Sequence, residues 1–313
     1  MYCSVNDEKA PAHRSLISFI KFLAERWVCS DGEACADLLH RWSRVGAYAL
    51  CGALVRPERP HARQWRALYV TLLHTPLQPA AVFSYLSRFD MAYWATVVSE
   101  DERRDVLASL LEAVAKYGQY KGEEYQMLIE LLGVHSGKVC LAGDTLRHVS
   151  RCVRAATAAA LPAAYLAHLT PLVNAHREHL HHEQLDQLLT ELGDKRTIIR
   201  GSKETEAYAP HIASLLRALL RIYVVALTKQ TYIPENVGGR AWSAARTSWA
   251  PWVSPGPKLL ADLHHYTAML DAFVDTLVQL MDDCPGIDVF LLRHSWEWVV
   301  ECYASSAKAH APR

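Results

Sequence analysis

Ile212-Ala213-Ser214-Leu215-Leu216-Arg217-Ala218-Leu219-Leu220-Arg221-Ile222-Tyr223-Val224-Val225-Ala226-Leu227 decides the fold class of this chain. Ile212, Leu215, Leu216, Leu219, Leu220, Tyr223 and Leu227 recur every three or four residues, the period of an α-helix with one broad apolar face. Arg217 and Arg221 interrupt the run, and a bilayer-spanning helix needs about 20 apolar residues without such charges. The segment therefore reads as the buried helix of a helical protein. The other apolar run, residues 155–169, is short, alanine-rich and broken by Pro162, so no transmembrane segment is expected.

The same period extends in both directions. Upstream, stripes run through residues 15–27, through Leu38, Leu39, Trp42, Val45 and Leu50, and through Trp65, Leu68, Tyr69, Leu72 and Leu73. Further stripes follow over residues 80–98, at Val106, Leu107, Leu110, Leu111 and Val114, and at Tyr125, Leu128, Ile129 and Leu132. Ser30 with Glu33 and Ser99 with Glu102 have capping-box spacing, in which a hydroxyl and a carboxylate satisfy free backbone donors at a helix start. Residues 133–143 read as a loop, and Asp144 reads as the cap of a helix reaching about Ala160. Downstream, Leu259, Leu263, Leu270, Phe273 and Leu277 mark one helix, and Val289, Leu292, Trp296, Val299 and Tyr303 mark another.

About ten to twelve helices and no strand are expected. The fold class is all-α, an irregular α-solenoid or stacked helical-hairpin array, because hairpins must stack to bury their apolar faces. No repeat of fixed length appears. The predicted organisation is an N-terminal array at 1–192, a charged linker at 193–207, and a C-terminal part at 208–304 holding an irregular Trp/Pro-rich insert at 229–257. Residues 305–313 read as a tail.

Composition narrows the function classes. The chain has 313 residues, 51% of them hydrophobic, enough for a large core. Lys plus Arg is 33 and Asp plus Glu is 33, so the basic excess of a nucleic-acid binder is missing and no nucleic-acid partner is expected. The eight cysteines are scattered without a C-x-x-C pair, which reads as small hydrophobes in a reducing compartment. The polar first residues do not have the pattern of a secretory signal, so a cytoplasmic protein is expected.

The densest chemical cluster is His176, His179, His181 and His182, with Glu183 and Asp186 after it. On one helix His179 would lie three residues from His182 and four from Glu183, a spacing that can place metal ligands on one face. The string from His182 to Asp186 lacks the second histidine of H-E-x-x-H, so the bland reading is a solvated polar face. Metal binding or hydrolysis centred on His176, His179, His182 and Glu183 is the alternative reading. His264 and His265 offer a general base only by proximity to an apolar face. The segment 133–139, GVHSGKV, has three residues before its Gly-Lys pair where a phosphate-binding loop has four, and Val139 stands where Ser or Thr binds magnesium. No G-x-S-x-G elbow is present. No catalytic residue and no cofactor are assigned, and a non-enzymatic role is expected.

Nine tryptophans are present, and Trp242, Trp249 and Trp252 lie with Tyr232 in the insert. Indoles give large contact area at low entropic cost. These residues read either as a loop plugging a groove between helices or as a partner-binding surface. Trp94-Ala95-Thr96-Val97 and Tyr125-Gln126-Met127-Leu128 have the aromatic-x-x-aliphatic form of autophagy docking motifs beside acidic residues, but both fall where helical core is expected.

The string Trp249-Ala250-Pro251-Trp252-Val253-Ser254-Pro255-Gly256-Pro257, the long helix from Leu259 and the terminal helix around His294-Ser295-Trp296-Glu297-Trp298 resemble the C-terminal helical region of the ectopic P granules family of large autophagy tethers. The resemblance covers roughly the last quarter of the chain. It implies a non-enzymatic tether of late endosomes or lysosomes to autophagosomes, peripheral on the membrane, working through a late-endosomal Rab GTPase and lipidated ubiquitin-like proteins. A structural subunit of a larger complex is the further alternative.

Overall fold

The computed structural model describes residues 91–117, 123–157, 163–193, 202–230, 233–253 and 263–310, with Val70, Leu73 and Leu86 before them. Every regular element among these residues is a helix, and no strand occurs among them, which establishes the all-α class. The helices are α1 (Met91–Val97), α2 (Glu100–Tyr117), α3 (Glu123–Val139), α4 (Ala142–Thr157), α5 (Ala163–Leu166), α6 (Leu169–Ala175), α7 (His182–Leu192), α8 (Ser202–Thr228), α9 (Pro234–Val253), α10 (Leu263–Asp283) and α11 (Asp288–His310). A single 3-10 turn, Arg177–His179, lies between α6 and α7. The chain forms two compact units, Met1–Cys140 and Leu141–Arg313.

In the first unit α1 and α2 both pack on α3. The capping box at Ser99 forms as the spacing predicts. The Ser99 backbone N–H donates to Glu102 Oε2 at 3.0 Å, and the Glu102 N–H donates back to Ser99 Oγ at 3.3 Å. Glu100, Asp101 and Glu102 in the first turn of α2 and Lys116 in its last turn suit the helix dipole. Val106, Leu107, Leu110, Ala113 and Val114 are buried on the inner face of α2. The loop expected at 133–143 is instead the end of α3 and the start of α4. Leu128, Leu132, His135, Ser136 and Val139 keep the helical period through Gly133 and Gly137, and all five side chains are buried. GVHSGKV is therefore helix rather than a phosphate-cradling loop.

In the second unit α8 packs against α5, α6, α7, α9 and α10. Leu215, Leu216, Leu219, Leu220, Tyr223, Val224 and Leu227 are almost wholly enclosed. All five lie within three helices of α8 in the chain, so the helices that enclose it are its neighbours in sequence. Ala207–Thr228 within α8 is the one described helix long and apolar enough to cross a membrane, and 61% of its most apolar window is buried by the unit's own helices.

Three boundaries differ from the sequence expectation. The unit boundary falls after Cys140 rather than at 193–207, because α4 and α6 pack with each other, α4 packs on α7, and α6 and α7 pack on α8. The expected linker is helical from Ser202, where Lys203, Glu204 and Glu206 are good helix formers, and α8 carries Pro210 within it. The expected tail is helical as far as His310. Stripes predicted before Met91 lie outside the described residues, except that Leu73 and Leu86 are fully buried.

The largest correction is α9. The segment expected to be an irregular insert is a 20-residue helix. Val237, Ala241, Ala244, Ala245, Ser248, Trp249 and Trp252 recur at helical spacing and are all buried, and this periodicity outweighs Gly238, Gly239 and Pro251. Gly193, which ends α7, lets that helix close on α9. A β-carbon at Gly193 would run into the Thr247 carbonyl, whereas one at Gly239 meets nothing within 4 Å. Gly193→Ala is expected to destabilise the protein by about 1–3 kcal/mol through backbone displacement. Gly239→Ala, inside the same helix system, is expected to be neutral or to stabilise by about 0.5–1 kcal/mol. Urea unfolding followed by circular dichroism compares the two.

Candidate functional site

The histidine run does not occupy one helix. His176 caps the end of α6, His179 ends the 3-10 turn, Leu180 and His181 are extended, and His182 opens α7. The three- and four-residue spacings therefore do not place His179, His182 and Glu183 on a shared face. His176 Nδ1 lies 2.7 Å from Thr145 Oγ1, and burial followed by the nearby His179 lowers its pKa. His182 is buried, while His179, His181 and Glu183 are exposed. No group of three His, Cys, Asp or Glu side chains able to share a metal ion occurs among the described residues.

The insert tryptophans are core. Trp249 is fully buried, and Trp252 and Trp242 are nearly so. Trp242, Trp249 and Trp298 gather around Phe273, with ring centroids 6.4, 5.4 and 5.3 Å from it, and Trp242 meets Trp298 edge-on at 5.8 Å. This cluster joins α9, α10 and α11 with the tilted and edge-to-face geometries that aromatic pairs favour. Neither the Trp249 nor the Trp252 indole N–H has an acceptor among the described residues. Their surface is spent inside the unit, so they do not present the partner face that their composition suggested. Tyr232 lies outside the described residues, as do the side chains of His264 and His265. Trp94 and Leu128 of the two docking-motif strings are buried in α1 and α3, where neither string can extend along a partner's sheet edge.

A polar stripe that sequence reading passed over runs along α4. Thr145, His148 and Cys152 recur at helical spacing and are buried. His148 Nε2 lies 2.9 Å from Tyr165 Oη and 3.5 Å from Cys152 Sγ. Thiol beside imidazole is the residue pairing of a nucleophilic site. Here Cys152 and Tyr165 are both fully enclosed, and the contacts join α4 to α5 as a satisfied core network. Burial, then the charge of Arg151, holds the His148 pKa down to about 4, so its ring is neutral at pH 7.

The exposed feature of the second unit is the outer face of the α10–α11 hairpin. The turn between the helices uses Gly286 at φ +104°, a conformation that favours glycine. On α11, Leu291, Ser295 and Cys302 face inward and are buried. Burial, then Glu301, pushes the Cys302 thiol up to about 11, so it stays protonated. Opposite them, Trp296, Val300 and Tyr303 form a stripe at i, i+4 and i+7 that is 67, 45 and 38% exposed. The Tyr303 hydroxyl donates to Asp271 Oδ1 at 2.6 Å, which sets the hairpin register. Trp296 stands seven residues before Tyr303 on α11 and Val278 seven after Asp271 on α10, and both are exposed. Asp271, Asp275, Val278 and Asp282 make the neighbouring ridge of α10, and Glu297 and Glu301 flank the stripe on α11, all exposed. No Lys or Arg occurs in α10. Burial, then the hydrogen bond to Asp271 and the charge of Asp271 and Asp275, raises the Tyr303 phenol to about 12.

Compared with known proteins, the chain matches no family model and no curated protein.

Trp249→Ala is expected to cost about 3–5 kcal/mol, the usual range for emptying a buried aromatic site. Trp249→Phe keeps most of the packing and removes an unpaired buried donor, so it should cost much less. Chemical denaturation of both variants makes the comparison. His135 and His148 predict a pH dependence, since burial holds each folded pKa to about 4 against an ordinary 6.5. Between those values the unfolded chain binds more protons, so this stability is complete above pH 6.5 and is lost as pH falls towards 4. The loss amounts to about 3 kcal/mol for each buried ring. His148→Gln should flatten part of that slope in unfolding curves taken at pH 7, 5.5 and 4.5.

Proposed function

We propose that this chain is a non-enzymatic helical scaffold that holds a partner protein on the outer face of its α10–α11 hairpin. The observation that carries the reading is the stripe Trp296, Val300 and Tyr303 lying in water beside the acidic ridge Asp271, Asp275 and Asp282. A tryptophan that is two-thirds exposed within an apolar stripe marks an interaction site more often than a lone exposed apolar residue does. Tryptophan and tyrosine are also the residue types that carry most binding energy at interfaces. Charge complementarity defines the occupant as an amphipathic segment with leucine-type residues along one face and lysine or arginine along its edges.

The resemblance of the C-terminal quarter supports a setting for this scaffold in autophagy and endolysosomal traffic, tethering membranes through a late-endosomal Rab GTPase and autophagosomal ubiquitin-like proteins. The physical reading of the hairpin face does not depend on that setting. A metal-dependent or hydrolytic reading loses its main support, because the histidines that suggested it stand on separate elements.

The test compares proteins captured from cell extract by the intact chain, by Trp296→Ala/Val300→Ala and by Asp271→Asn/Asp275→Asn. A defined partner that is lost with both variants, and released as salt rises, supports the reading. Both variants should keep wild-type helicity, since their side chains are exposed. Capture that is unchanged by either variant removes the hairpin face as the binding surface.

A further inference from the structure

A second concave surface lies in the same unit, between α6 with its following 3-10 turn on one side and α8 on the other. Its volume is about 500 Å³, within the range of small-molecule sites. Among the described residues Arg177, Arg217, Arg221 and Lys229 line it with one carboxylate, Glu178, and Asp283 meets Arg221 from α10. In a chain whose 33 basic and 33 acidic residues cancel, four cations gathered around one cleft is a local departure.

The cations are arranged by the helix. Arg217 and Arg221 stand four residues apart on one side of α8, about 6 Å along its axis at 1.5 Å per residue, and Lys229 lies just past its last residue, Thr228. Arg217 is held in place: its Nε donates to Thr276 Oγ1 at 3.1 Å and its Nη2 donates to the Ala272 carbonyl at 3.4 Å. Arg221 uses Nε to meet Asp283 at 2.7 Å. Arg177 and Lys229 share the rim carboxylate of Glu178, each at 3.4 Å. That pairing with Lys229, then with Arg177, lowers the Glu178 pKa. These contacts hold the two arginines in position before any ligand arrives, and a guanidinium carries five N–H donors, so others remain to meet phosphate oxygens.

The rest of the lining selects among phosphates. Thr170, Asn174 and Ser214 add hydroxyl and amide groups suited to a polyol. Among the described residues no aromatic side chain lines the cleft, so none of them stacks on a nucleobase there. The volume admits one headgroup-sized molecule rather than a nucleic-acid strand. We infer that this cleft binds a multiply phosphorylated polyol of the inositol phosphate class. Such a group comes either free in solution or as a phosphoinositide headgroup at a membrane surface. The site is separate from the hairpin face and does not rest on the partner-binding proposal.

The experiment titrates the full chain with inositol 1,4,5-trisphosphate by calorimetry at low salt, with inorganic phosphate as the comparison ligand. Binding in the micromolar range is expected for the trisphosphate and at least tenfold weaker binding for inorganic phosphate. Arg177→Gln/Arg221→Gln should weaken the trisphosphate at least tenfold, because both side chains are exposed and their replacement leaves the core untouched. Arg293→Gln, on α11, should leave the affinity unchanged, as should Trp296→Ala/Val300→Ala. Flotation with vesicles containing phosphatidylinositol 4,5-bisphosphate, against vesicles containing phosphatidylserine alone, separates the two sources. Recovery only with the phosphoinositide assigns a lipid headgroup, and no recovery with a positive titration assigns a free inositol phosphate. Trisphosphate affinity no better than that of inorganic phosphate, or equal affinity in the Arg177→Gln/Arg221→Gln variant, overturns the assignment. Equal loss with Arg293→Gln does so as well, because it marks general charge attraction.

Discussion

The burial of α8 organises the second unit. A helix carrying Leu215, Leu216, Leu219, Leu220, Tyr223, Val224 and Leu227 is apolar around much of its circumference, and one partner helix cannot cover it. Five helices do so. Each of them then needs its own second layer. α9 turns Val237, Ala241 and Ala245 inward and meets α10 and α11 through the aromatic cluster around Phe273. The contact is non-directional in its driving force, while the rings add preferred angles. Small residues make it possible: Gly193 and the alanines of α9 let backbones approach where a larger side chain would hold them apart.

What the core does not consume is left at the edges. The same helices that bury leucine inward carry the polar and aromatic residues that give the unit its two outward features. Arg217 and Arg221 of α8, with Lys229 just past its end, line the cleft towards α6, while the two arginines also reach Thr276 and Asp283 of α10. α11 buries Leu291, Ser295 and Cys302 and so must turn Trp296 and Val300 outward. Among the described residues one surface is acidic and aromatic, and the other is basic and lined by no aromatic side chain. They call for ligands of opposite charge, and a chain of zero formal charge holds both because the charges are separated in space.

Much of the helical content was legible because it depends on local periodicity. Ser99 and Glu102 announced a helix start and form both reciprocal hydrogen bonds. The leucines of α8 announced a core helix. Local punctuation misled at α9, where Trp249, Pro251 and Trp252 read as an extended string while Val237, Ala241, Ala245, Ser248 and Trp252 already carried the helical period. Pro251 sits in the last turn of that helix, so the one backbone hydrogen bond it removes, to the Thr247 carbonyl, lies close to where the helix ends anyway. The glycines of α3 misled in the same way, since Leu128, Leu132, His135 and Val139 continue through them. The histidine run failed for the opposite reason: spacing was read as if one helix continued, and extended backbone at Leu180 and His181 breaks it.

The amino-acid sequence by itself determined that this protein is helical, where α2 begins and which leucines of α8 turn inward, since each follows from residues within a few turns of one another. Only the tertiary structure decided that Trp242 and Trp249 are enclosed while Trp296 stands in water. Only it decided that Arg177 comes to lie with Arg217, Arg221 and Lys229 around one cleft. Helical spacing states which residues share a face. Which face another helix covers depends on contacts between residues far apart in the chain, and those are settled by how α6, α8, α9, α10 and α11 pack together.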